Sequence, residues 1–159
     1  MQSERPECTW FVKPLHERPD FRLIAAFLWG DLHNIDSDGD SHNPASRSWT
    51  WLYLSSRERA GQRVDLGMEE GAEACMRIRS EVPWLAAAVA YFLAMEGTSQ
   101  VRRGDDTAWD DASSCVKGAG PFDLGAAMER ARVSVWREST LEDPYPNLRR
   151  SRAPAGGPS

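Results

Sequence analysis

Hydrophobic positions along the chain follow two periods, and the switches between them lay out a series of strands and helices. In "CTWFVKPL", residues 8–15, β-branched and aromatic residues run up to Pro14, which predicts a short first strand. "RPDFRLIAAFLWGDLH" then repeats Phe21, Ile24, Ala25 and Leu28 at helical spacing behind Asp20, a natural capping residue. That helix is expected to end between Gly30 and Asn34, before a polar loop running to about Ser46. In "SWTWLYL", Trp49, Trp51 and Tyr53 alternate with Thr50, Leu52 and Leu54. Both sets can be buried, so the pattern predicts a central strand covered on both faces.

"SSRERAGQ" reads as a hairpin connection into "RVDLGM", where Val64, Leu66 and Met68 share one face. "ACMRIRS" alternates Met76 and Ile78 with Arg77 and Arg79, a strand wet on one side, so the middle of the chain reads as an antiparallel meander. Pro83 opens "PWLAAAVAYFLAME" and Gly97 closes it; this helix is apolar nearly all round and should lie deep against the sheet. "TSQVRR" is a further strand, and "GDDTAWDDASS" a second acidic loop. A last helix is predicted from Phe122 to Glu138, with Leu124, Ala127, Met128, Ala131 and Val135 on one stripe. The order β-α-β-β-β-α-β-α predicts an α+β domain over residues 1–142, an antiparallel sheet of about four to five strands with three helices packed against it. Residues 143–159, rich in Pro, Arg and Gly, read as an extended tail.

Charge and composition narrow the function classes. The net charge is −5, and three of the arginines (Arg149, Arg150 and Arg152) lie in the tail, so the preceding body is more acidic still. An acidic body repels phosphate backbones, which argues against nucleic acid and for a basic protein partner. Cys8, Cys75 and Cys115 are widely spaced with no CxxC, as expected of free thiols in a reducing cytoplasm. The longest apolar run, Trp84 to Met95, falls short of the roughly 20 residues that span a bilayer, and "MQSERPECTW" has no apolar signal core. A cytoplasmic protein away from the membrane is expected.

The candidate chemistry centres on "HNIDSDGDSH", residues 33–42, with alternating Asp36, Asp38 and Asp40. A calcium loop starting at Asp36 needs Gly at its sixth position and Glu at its twelfth; these are Ser41 and Arg47, so the EF-hand reading fails. A transition-metal site at His33, Asp36, Asp38 and His42 is chemically allowed, but nothing in this Ser/Gly-rich segment preorganises it. The bland reading is a solvated loop whose Asp and Asn side chains stabilise turns. The sharper one is an acidic recognition surface formed with the second loop, in which Asp105 and Asp106 precede the aromatic anchor Trp109 and Asp110 and Asp111 follow it. No GxSxG, HExxH, GxxxxGK[ST] or GxGxxG occurs, and no catalytic residue, metal ligand or cofactor is assigned.

"SWTWLYLSSRE", "LAAAVAYFLAMEG" and "TAWDD", between Ser48 and Asp111, resemble segments of bacterial polymorphic-toxin immunity proteins. The resemblance implies a small stand-alone α+β inhibitor that binds its cognate toxin without catalysis. The expected function is therefore a cytosolic protein-binding module that neutralises a basic toxin through Asp36, Asp38, Asp40, Asp105, Asp106 and Trp109. Two rival expectations are a metal-dependent enzyme centred on His33 to His42 and an adaptor subunit tethered by the Arg-rich tail.

Overall fold

The computed structural model describes residues 7–71, 74–104 and 106–148. Six strands form one sheet: β1 (Cys8–Lys13), β2 (Ile35–Gly39), β3 (Trp51–Ser56), β4 (Arg63–Met68), β5 (Met76–Ser80) and β6 (Gln100–Arg103). Their order is β2-β3-β4-β5-β1-β6, and every pairing is antiparallel. The helices are α1 (Phe21–Trp29), α2 (Pro83–Gly97), α3 (Cys115–Gly118) and α4 (Leu124–Arg132), with 3₁₀ turns at Ala112–Ser114 and Val135–Glu138. The fold is α+β, but with six strands rather than four to five, and with more helical pieces than the expected three.

The additional strand is β2, which occupies the acidic segment expected to be a loop. Asp, Ser and Gly are poor β-formers, yet Asp36 and Asp38 pair with Ser55 and Tyr53 because β3 would otherwise present open backbone groups. Gly39 fits there because a Cβ would come within 2.8 Å of the Trp51 carbonyl oxygen. Charged side chains on such an edge also discourage further chains from pairing with it.

All the helices cover one face. Trp10, Val12, Leu52, Leu54, Val64, Leu66, Met76, Ile78 and Val101 point into the core from successive strands. α2 lies over them, burying Leu85 through Ala90 and Phe92 through Ala94, and Phe27 of α1 stacks on Phe92 with centroids 4.6 Å apart. Trp51 and Tyr53, expected to lie under a second layer, point the other way: Trp51 is 45% exposed. A two-layer fold supplies nothing to cover them.

The single last helix is also corrected. α4 stops at Arg132 because Asp31 draws the chain aside, its carboxylate accepting Ser134 Oγ–H at 2.6 Å and the Val135 N–H at 2.9 Å. Arg130 meanwhile donates to the Phe27 carbonyl at the end of α1. Beyond the 3₁₀ turn the chain returns over α1, where Ser139 reaches Asp20 and the Tyr145 ring lies near Arg22. Arg149, Arg150 and Arg152 lie outside the described residues. Among the described residues no helix is long and apolar enough to cross a membrane.

Candidate functional site on the open face of the sheet

Because side chains alternate along a strand, the face opposite the helices follows directly from the register. One row across the sheet reads Asp38, Tyr53, Asp65, Arg79, Thr9; the next reads Trp51, Gly67, Arg77, Phe11, Arg102. The face is polarised. Asp36, Asp38 and Asp65 outnumber Arg63 on the β2–β4 half, and Arg77, Arg79 and Arg102 lie on the β5–β1–β6 half, with Arg63 turned to Glu81 at 3.5 Å.

Pairing within the chain neutralises part of each half and leaves particular carboxylates uncompensated. Asp36 is bonded to Arg57 at 2.7 Å, Arg77 to Glu69 at 2.6 Å, and Arg79 lies 3.7 Å from Glu7. Among the described residues neither Asp38 nor Asp65 has an ion-pair partner. Asp38 accepts only the N–H of Gly39, and Arg79, the register neighbour of Asp65, turns to Glu7 instead. Two uncompensated carboxylates therefore flank the half-buried Tyr53, two residues along β3 from exposed Trp51.

Asp40 serves the fold. It accepts the Thr50 hydroxyl, the Thr50 N–H at 2.8 Å and the Trp51 N–H at 3.2 Å, locking the entry to β3. Burial pushes its carboxyl up, but these hydrogen bonds outweigh that and hold it below the usual carboxylate range. A depressed carboxylate stabilises above its unfolded pKa near 4, and that contribution is lost as pH falls through the folded value. Asp40→Ala is therefore expected to cost about 1 kcal/mol at pH 7 and less under acid conditions, as urea titrations at several pH values would record.

The second acidic cluster lies at the opposite edge. Asp110 forms an isolated bridge with Val101 of β6, and Asp111 caps the following 3₁₀ turn. Asp106 contributes its carbonyl to Arg102 Nη1 at 2.8 Å, and Asp105 lies outside the described residues. Trp109 is half-buried, its ring flanked by Lys13 Nζ at 4.5 Å and Arg102 at 5.1 Å, so its faces meet cations of its own chain. Five inter-strand steps, about 24 Å, separate β2 from β6. The structure thus brings Asp36, Asp38 and Asp40 together and keeps Asp106 and Trp109 apart from them. Tyr53, Asp65 and Trp51 join the first group instead; their signal was the strand alternation, which placed Asp65 opposite Val64 and Leu66.

His33 is stacked on Trp29 and bonded through Nε2 to Ser56 Oγ at 2.7 Å, with Glu58 3.4 Å from Nδ1. Among the described residues no three His, Cys, Asp or Glu side chains gather as a metal site would require. Cys115 is fully buried under α2, and burial pushes its thiol up to about 12. It stays protonated at pH 8, so a thiol reagent is expected to label Cys8 and Cys75 in the native protein and reach Cys115 only after unfolding, as mass spectrometry would show. A buried neutral thiol also makes stability fall as pH rises from the unfolded value toward 12.

Comparison with protein-family models, curated proteins and solved structures found no match to this chain.

Proposed function

We propose that this chain is a non-catalytic protein-binding module of the bacterial cytoplasm, an immunity-type inhibitor that neutralises a basic toxin. The observation that carries the reading is the β2–β4 half of the open face, where exposed Trp51 and half-buried Tyr53 stand beside the unpaired carboxylates of Asp38 and Asp65. Aromatic side chains supply contact area at little entropic cost, and uncompensated like charge is relieved by a basic surface. This revises the expected contact set. Asp36, Asp38 and Tyr53 form one patch with Asp65 and Trp51, while Asp106 and Trp109 belong to a separate edge. The expected partner is the product of a neighbouring open reading frame, as the resemblance to immunity proteins implies. Affinity capture of such a product at low salt, lost as salt screens the charges, is the expected result; failure to capture any basic product even at low salt contradicts the proposal.

A further inference from the structure

The polarity of the open face has a second consequence. An antiparallel sheet with acidic residues on one half and basic residues on the other is complementary to itself under a two-fold rotation. An axis lying in the contact plane and parallel to the strands exchanges the two edges, laying β4 of one copy over β5 of the other and β3 over β1. An axis perpendicular to the strands would instead set acid on acid, so charge selects the first arrangement.

We propose that the free protein self-associates face to face through this surface, as a reversible two-fold dimer. The rows place Asp65 of one copy opposite Arg79 of the other, and the converse, near the centre of the contact. Trp51 faces Phe11 of the second copy, whose ring carries its own Arg102 guanidinium 4.8 Å from the centroid, so aromatic and cation meet Trp51 on each side of the axis. Gly67 faces Arg77; within each copy its own Arg77 lies over the small residue, with Nη2 3.3 Å from where a Gly67 Cβ would stand, beside a hollow of about 190 Å³ lined by Trp51, Asp65 and Arg77. Arg79 is free to re-aim, because it is 44% exposed and only 3.7 Å from Glu7.

Sheets pack about 10 Å apart and within about 30° of alignment, so the register is kept best at the centre. Six strands at about 4.8 Å spacing and five residues each give a footprint of about 400 Å² per copy. With side-chain relief the total buried area reaches roughly 1,000 Å², at the low end for a specific interface, which is why the association is reversible. A basic partner on Asp38 and Asp65 competes for the same face and would dissociate the pair. The dimer itself does not depend on the toxin reading.

Sedimentation equilibrium of the purified full chain tests this. The wild type is expected to shift from monomer to dimer with concentration, and less so at high salt. Asp65→Arg and Arg79→Asp, both at exposed positions, should each weaken self-association by about tenfold or more through like-charge contacts, with melting curves checking that each is folded. Mixing the two variants should restore association, because each then meets its opposite charge across the axis; an effect confined within one chain cannot be restored by mixing. A protein monomeric at all concentrations, or a dimer indifferent to both substitutions, or variants that mixing does not restore, would overturn the proposal.

Discussion

Asp20→Ala is expected to cost about 3–5 kcal/mol of folding stability, because it breaks a buried ion pair and leaves a guanidinium unpartnered. Asp20 is 1% exposed and Arg22 8%. The Asp20 carboxylate accepts Arg22 Nε at 3.0 Å, Arg22 Nη2 at 2.6 Å, the Arg22 N–H that begins α1, and Ser139 Oγ–H at 2.7 Å. One side chain thus caps α1, neutralises Arg22 and fastens the returning C-terminal segment. The Arg22 guanidinium lies 4.0 Å from the Trp136 ring centroid, so it cannot swing to water without unpacking that ring. For a chain of this size the loss corresponds to a fall in melting temperature of about 6–20 °C. Asp20→Asn keeps the shape and removes the charge, and should fall in between. A change below about 1 kcal/mol for the alanine variant, read from urea unfolding, would show that the pair contributes nothing net.

The second large effect concerns binding. Asp38→Lys combined with Asp65→Lys converts the acidic half of the face to a basic one while leaving the core untouched, since both side chains point away from it. Against a basic partner, each reversal replaces attraction with repulsion, and together they are expected to weaken affinity by at least about a hundredfold, with most of the loss at low salt. Trp51→Ala should also weaken binding, with little dependence on salt, since it removes contact area rather than charge. Asp106→Lys, at the other edge, is expected to change affinity little. Titration calorimetry at two salt concentrations separates the charge effect from the packing effect.

Much of the architecture is legible in the residues, for identifiable reasons. α2 announces itself through Pro83 and an apolar run that only a buried helix can use, although the left-handed cap is Thr98 and Gly97 is the last helical residue, and β5 through Met76 and Ile78 alternating with Arg77 and Arg79. β2 is not legible, because its pairing is imposed by the open edge of β3 and runs against the poor strand preference of Asp, Ser and Gly. The end of α4 is hidden for a similar reason: the hydrophobic stripe continues to Val135, but Asp31, some hundred residues earlier, holds Ser134 and Val135 in a different path. The site was half visible. Asp36, Asp38 and Asp40 stand out in the chain, whereas their distance from Asp106 and Trp109, and their nearness to Tyr53 and Asp65, depend on a strand order that places β1 between β5 and β6. Local pattern carries no information about that insertion.

The tryptophans show the same division. Trp49 and Trp51 are two residues apart in one apolar run, yet Trp49 is 1% exposed, with its indole N–H on the Pro19 carbonyl and its own carbonyl accepting from buried Arg18. Trp51 lies on the open face. Trp49 precedes β3, so the alternation that sorts Trp51, Leu52, Tyr53 and Leu54 does not extend to it.

The most direct test of the proposed role is protection in cells. The product of a neighbouring open reading frame is induced in a bacterial host with the wild-type chain or with the folded Asp38→Lys, Asp65→Lys variant, and growth is followed. The wild type is expected to restore growth and the variant is not. A wild-type chain that gives no protection against any neighbouring product, or a variant that protects as well as the wild type, would contradict that role.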